Sequence, residues 1–163
     1  MQNVIQLPIK PEVKTSGKFR HTKYMNILTK MAVAVEPVAQ ARIAAAIVIK
    51  NDIISFGINQ KKTHPFQAMF GKNSDCIYLH AEIDAIKNAL RIITVDELSR
   101  STLYVCRVKY DCDQKSNFIF GLSKPCSGCS RAIANFDIKN VYYSLDIEGY
   151  QKLWKLILKY QMK

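Results

Sequence analysis

The spacing of apolar residues changes along the first half of the chain from a helical to a strand-like pattern. Apolar residues three and four apart predict a helix over 22–36, which Pro37 ends. Two nearly continuous apolar runs, Ile43–Ile49 and Ile53–Ile58, predict two strands joined by a tight turn. A long loop is predicted over 59–78.

The second half of the chain alternates between helical and strand-like segments. Helices are predicted over Leu79–Leu90, Cys126–Phe136 and Asp146–Tyr160, and strands over Thr102–Val108, Phe118–Phe120 and Val141–Ser144. Because strands alternate with helices, we expect an α/β fold, a three-layer α/β/α sandwich with a mixed sheet of about five strands. The strand–helix–strand connection between 102 and 144 predicts one parallel pair.

The composition is that of a folded domain rather than a repeat or linker. Hydrophobic residues make up 48% of the 163 positions, with only 6 glycines and 5 prolines, which excludes a disordered or collagen-like chain. Residues 1–20, with Pro8 and Pro11 among lysines, predict a flexible basic arm, and residues 21–163 predict a single domain with a C-terminal helix. No apolar run approaches the roughly 20 residues of a spanning helix, so no membrane partner is expected.

The net charge indicates which partners the protein binds, and the cysteines indicate the cell compartment. The chain has 24 Lys and Arg against 13 Asp and Glu, a net charge of +11. Such a protein favours phosphate-bearing partners, from nucleotides to nucleic acid, while an ordinary solvated basic surface is the alternative. Five cysteines cannot all pair within the chain. Without an export signal they are predicted to be reduced thiols or metal ligands in the cytoplasm.

Two short motifs carry candidate metal chemistry, HAE at 80–82 and PCSGC at 125–129, each at the start of a predicted helix. Cysteines three residues apart at a helix start project to one side, so both sulfurs can reach one ion. Two thiolates and one imidazole leave a fourth tetrahedral position for water, which is typical of a catalytic Zn²⁺ site, and a structural zinc knuckle is the alternative. The candidate ligands are His80, Cys126 and Cys129. Glu82 is a candidate proton carrier beside the metal.

Together the motifs resemble those of the zinc-dependent cytidine and deoxycytidylate deaminase superfamily, H-x-E followed by P-C-x-x-C. The resemblance runs over about 22–144 and is nearest to the deoxycytidylate branch. It implies a cytidine deaminase-like fold in which zinc activates a water and Glu82 shuttles protons while a base loses ammonia. It also implies substrate contacts from Asn59, Ala81 and Lys124, and a homo-oligomeric assembly.

The sequence is compatible with two classes of deaminase substrate and with one non-catalytic function. The first prediction is a free nucleotide, dCMP converted to dUMP, whose phosphate meets the basic loop after Asn59. The alternative is a polynucleotide deaminase that acts on cytosine in single-stranded DNA or RNA, or on adenosine in tRNA, which the net charge and the loop residues Phe66 and Phe70 favour. A third function, a non-catalytic nucleic-acid-binding module with structural zinc, does not need Glu82. The 43 residues between Glu82 and Cys126 exceed the spacing of compact relatives and leave the substrate choice open.

Other residues have weaker functional interpretations. A second metal site, as in some deoxycytidylate deaminases, would use His64, Cys76, Cys106 and Cys112, but their irregular spacing favours ordinary thiols. His21 is predicted to start a helix without chemistry. The apolar stripe over 150–158 is predicted to be core or a subunit interface, with a nucleic-acid-facing helix as the alternative.

Overall fold

Within the residues that the computed structural model describes, 18–71, 77–111 and 117–153, the chain forms a six-stranded mixed sheet with helices on both faces. The helices are α1 (Lys18–Ala34), α2 (Pro65–Phe70), α3 (Ala81–Ala89), α4 (Val95–Ser99) and α5 (Ser127–Asn135). The strands are β1 (Arg42–Ile49), β2 (Asp52–Ile58), β3 (Thr102–Tyr110), β4 (Phe118–Gly121), β5 (Asn140–Ser144) and β6 (Tyr150–Lys152). No helix in the described part of the chain is long and apolar enough to cross a membrane.

The strand order is β2-β1-β3-β5-β6, and β4 pairs with the second half of β3. β3 and β5 are parallel, with Leu103 opposite Val141, and the other pairs are antiparallel. This confirms the predicted parallel pair and the predicted α/β sandwich, with six strands rather than about five.

The inner strand β1 contributes to two cores, because its side chains alternate between the two faces of the sheet. Ala45 and Ile47 pack with α3 and α5, whereas Ala44 and Ala46 pack with Leu28 and its neighbours on α1. All of these side chains are fully buried. The sheet therefore presents one face to α1 and the other to the two helices that begin at the sequence motifs.

The predicted helix over 146–160 is wrong in its first half. The chain turns back at Gly149, whose φ of +135° suits glycine, and Leu145 N–H donates to the Gly149 carbonyl at 3.1 Å. Tyr150–Lys152 then pairs antiparallel with β5. This pairing satisfies backbone N–H and C=O groups along the edge of β5, which a helix at 150–152 would leave without partners. Residues 154–163, the second half of the predicted helix, lie outside the described residues.

The N-terminal boundary also differs from the prediction. Helix α1 begins at Lys18, inside the predicted arm, and the rest of the arm, residues 1–17, lies outside the described residues.

Gly57 allows α3 to lie directly on β2. A Cβ added there would lie 2.2 Å from the Ala85 nitrogen and 2.3 Å from the Ala81 oxygen, both backbone atoms. We expect Gly57→Ala to destabilise the fold by at least the roughly 1–3 kcal/mol typical of overpacking. Urea unfolding measures this loss. Gly121→Ala is the matched control, because its added Cβ meets flexible Arg107 side-chain carbons at 3.0 Å. Equal losses in both variants would contradict the packing argument.

Candidate metal centre and active site

The metal-binding candidates meet where α3 and α5 begin. His80 is the N-cap residue of α3 and makes no side-chain capping bond, so its ring is free to face α5. Cys126 is the N-cap residue of α5, and Cys129 lies in its first turn. His80 Nδ1 lies 3.5 Å from Cys126 Sγ and 3.4 Å from Cys129 Sγ. In the described part of the chain, these three residues form the one cluster suited to a metal ion.

The spacing of this cluster fits Zn²⁺. Zinc bonds of about 2.3 Å to sulfur and about 2.0–2.1 Å to nitrogen place N and S about 3.6 Å apart around a tetrahedral ion. The observed distances of 3.4 and 3.5 Å are close to that edge. One nitrogen and two sulfurs also form a donor set that zinc prefers. The residues present therefore fit the ion, and they leave one position for a ligand from outside the chain.

The electrostatics of the cluster favour a cation. A hydrogen bond from the Cys129 thiol, with a smaller contribution from His80, lowers the pKa of Cys126 to about 3. The same pairing raises the pKa of Cys129, and the hydrogen bond to Cys126 raises the pKa of His80. The cluster thus favours negative charge on the Cys126 sulfur. That charge attracts a divalent ion, and thiolate and imidazole bind metal in their deprotonated forms.

Glu82 lies in the first turn of α3 and is 5% exposed. Burial is the main cause that raises the pKa of its carboxyl group, and Cys126 adds to the shift. A carboxyl group whose pKa moves towards neutrality can both accept and release a proton at working pH. The structure therefore places an unusual acid beside the candidate metal ligands.

Asp84 holds the end of β2 against α3. Its buried carboxylate accepts hydrogen bonds from Ile58 N–H and from Gln60 Nε2, both at 3.1 Å, and forms a 2.6 Å ion pair with Lys87. Gln60 N–H also donates to the Leu79 carbonyl at 2.9 Å. These bonds hold the segment after β2 beside the residue that precedes His80.

Asn59 lies in that segment, and its side chain forms hydrogen bonds to the backbone of β1 and of the residue before it. Oδ1 accepts from Ile43 N–H at 2.8 Å, and Nδ2 donates to the Ala41 carbonyl at 2.9 Å. Each polar atom retains further hydrogen-bonding capacity, because an amide offers two lone pairs and two N–H groups. Asn59 also lines a cavity of about 300 Å³, whose other lining residues are Glu36, Val38, Ile58, Gln60, Lys61 and Lys62.

The other two predicted substrate residues have different surroundings. Ala81 is fully buried as the first residue of α3, with its carbonyl against Gly57. Lys124 is exposed in the segment between β4 and α5, two residues before Cys126. Their substrate contacts stay predictions.

The members of the suggested second metal site have separate roles where they are described. The His64 ring caps α2 by accepting from Phe66 N–H at 3.1 Å. The Cys106 thiol is buried on the α1 face beside Thr29, and burial raises its pKa to about 11. Cys76 and Cys112 lie outside the described residues.

His21 belongs to an aromatic cluster on the α1 face of the sheet. Its ring stacks on Tyr142 at a centroid distance of 4.1 Å, and its Nδ1 lies 2.8 Å from the Tyr104 hydroxyl. Tyr150, from the predicted apolar stripe, contacts the same ring. Leu153 of that stripe is buried in the core with α3 and α5.

Two buried polar residues beside the cluster were not predicted from the sequence. The only sequence signal for Asp84 is its position, since it is an acidic residue on the otherwise apolar face of a predicted helix. Gln67 lies in a loop-like segment and gives no pattern from which its burial could be inferred. Its Oε1 accepts from His80 N–H at 3.0 Å.

Comparisons with known proteins agree with this site. Residues 19–145 match the model of the cytidine and deoxycytidylate deaminase zinc-binding region. The fold is similar to a crystal structure of dCMP deaminase from the cyanophage S-TIM5 in apo form, with a TM-score of 0.51 and 22% identity over 76% of this chain and 80% of that one. The same enzyme in complex with dCMP and dUMP matches with a TM-score of 0.48 and 20% identity over 75% and 78% of the two chains. No curated protein sequence matches significantly. Since the family model spans most of the sequence, the chain belongs to the zinc-binding cytidine and deoxycytidylate deaminase family.

Proposed function

We propose that this deaminase converts cytosine to uracil in a free nucleotide, dCMP to dUMP. The observation that carries the proposal is the buried Glu82 carboxyl group, with its raised pKa, next to the His80–Cys126–Cys129 cluster. A structural zinc site needs no such acid. Membership of the deaminase family supports the reaction type, and the nucleotide substrate is the further step that we propose.

Each residue of the cluster has a distinct part in this reaction. His80, Cys126 and Cys129 would hold zinc, which when bound supplies a Lewis acid that lowers the pKa of water towards neutrality. Glu82 accepts the proton of the attacking water and donates it to the ring nitrogen of cytosine. It then accepts the second proton, from the hydroxyl group added to the ring carbon, and delivers it to the amino group, which leaves as ammonia. Burial of Glu82 supports this role, because it raises the pKa of the carboxyl group and so favours proton transfer in both directions.

The segment after β2 is proposed to bind the nucleotide. Asn59, together with Ala81 and Lys124, would contact the base or sugar. The cavity next to Asn59 is lined by Lys61 and Lys62, whose side chains are exposed and suit one phosphate group. A cavity of about 300 Å³ is at the lower end of the range for small-molecule sites.

Salt dependence separates a nucleotide from a polynucleotide substrate. We expect dCMP turnover with shallow salt dependence, because one phosphate group engages few charges. A polynucleotide that contacts 6–10 phosphates would lose roughly 10³–10⁵-fold in affinity between about 50 and 200 mM salt. Ammonia release from dCMP, deoxycytidine, cytosine-containing oligonucleotides and tRNA, each at several salt concentrations, measures this difference.

The same panel decides between the two substrate classes. Rapid, steeply salt-dependent deamination of an oligonucleotide or tRNA, with slow dCMP turnover, would replace the nucleotide with a polynucleotide. The homo-oligomeric state and the cytoplasmic location stay predictions.

A further inference from the structure

Gln67 connects α2 to the backbone of a candidate metal ligand. Its side chain is fully buried, and its Oε1 accepts from His80 N–H at 3.0 Å. His80 uses its ring to face the two sulfurs, so it cannot cap α3 with that side chain. The Gln67 amide therefore holds the backbone of His80 from outside the helix.

Helix α2 is also fixed to the helix that carries both cysteines. Arg131 of α5 donates to the Phe70 carbonyl through Nε at 2.7 Å and through a second guanidinium nitrogen. The Phe136 ring packs against Phe66 and Phe70, with centroid distances of 6.0 and 6.1 Å. Gln67 thus lies on an element that is fixed to α5 on one side and to His80 on the other.

The second polar atom of Gln67 has a cost that packing alone does not explain. Its Nε2 is buried and has no hydrogen-bond partner among the residues that the structure describes. A buried donor without a partner is costly, and an apolar side chain of the same length would avoid that cost. We therefore expect a glutamine at this position only if the hydrogen bond that Oε1 accepts from His80 N–H is itself needed.

We propose that Gln67 is a positioning residue of the metal centre, which sets the place of His80 Nδ1 relative to the two cysteine sulfurs by holding the His80 backbone. The inference rests on the proposed metal site. Residues outside the ligand shell that orient a ligand typically contribute 10–100-fold to metal affinity. Gln67 acts here on the backbone of the ligand rather than on its ring.

The test uses the full-length chain with Co²⁺ in place of zinc, because the visible absorption of Co²⁺ reports ligand geometry. Gln67→Met removes the acceptor and keeps the length of the side chain. We expect a changed Co²⁺ spectrum and roughly 10–100-fold faster loss of the ion to a chelator. The stability of the metal-free protein should change little, because two effects oppose each other. The substitution removes the buried Nε2 donor, which stabilises the fold, and it removes the acceptor of His80 N–H, which destabilises it.

Two further variants make the result specific. Gln67→Glu retains an acceptor for His80 N–H and should restore the spectrum and slow metal release. Leu98→Ala removes a fully buried side chain from the same core and should destabilise the fold without changing the spectrum. Wild-type metal release in Gln67→Met, failure of Gln67→Glu to restore it, or an equal effect of Leu98→Ala would each overturn the proposal. None of these readouts needs a substrate, so failure of dCMP turnover is a separate result.

Discussion

Glu82→Gln should retain zinc and the fold while losing about 10²–10⁴-fold in turnover, the usual contribution of a general acid–base group. Glutamine has the shape and much of the hydrogen bonding of glutamate, but it cannot accept a proton from water or deliver one to the base. Burial of Glu82 strengthens the expectation, because bulk water has little access to replace the missing carboxyl group.

The measurement is ammonia release from dCMP at saturating substrate, together with zinc content and thermal unfolding. Glu97→Gln is the control, since Glu97 is only half-buried and glutamine can also accept the Thr94 N–H at the start of α4. This variant should be as active as the wild type. If Glu82→Gln were also fully active, proton transfer would have to use another group.

Cys129→Ala should reduce zinc content from about one ion per chain to a small fraction and lower stability at the same time. Loss of a direct ligand should weaken binding by more than the roughly 10–100-fold typical of outer-shell residues. An ion present at about 100 times its dissociation constant stabilises a fold by about 2.7 kcal/mol, and that amount would be lost. Metal analysis and urea unfolding with and without a chelator measure both effects.

Cys106→Ala provides the matched control for this experiment. Cys106 and Cys129 are both fully buried, but Cys106 lies on the opposite face of the sheet, beside Thr29. Cys106→Ala should change the free energy of unfolding without changing the zinc content. A chelator should destabilise this variant as much as it destabilises the wild type. Full zinc occupancy in Cys129→Ala would remove this cysteine from the site.

The metal cluster was accessible to sequence analysis because each of its parts is local. The apolar spacing after each motif, and Pro125 before the cysteine pair, predict the two helix starts from nearby residues alone. Their meeting across the fold follows from the parallel pair formed by β3 and β5, which the strand–helix–strand order predicts. Local signals and topology therefore agreed at the site.

The elements that the sequence analysis did not identify fall into two groups. Helices α2 and α4 carry start signals, a proline after His64 in one and the Thr94–Glu97 capping box in the other, but both are too short for periodicity to show. Strand β6 is different, because its residues match a helical pattern and only pairing with β5 determines their conformation. The acceptor that Gln67 provides for His80 likewise depends on tertiary structure alone.

The two ends of the segment between β2 and α3 are joined directly by backbone hydrogen bonds. Gln60 N–H donates to the Leu79 carbonyl, and Leu79 N–H donates to the Lys62 carbonyl. The Gln60 side chain also donates to the Asp84 carboxylate. Because the ends are already closed, lengthening the chain between α2 and Leu79 costs little, about 0.6 kcal/mol for each doubling of the loop length. Insertions and deletions between α2 and Leu79 would thus leave His80 and the Gln67 contact to its backbone in place.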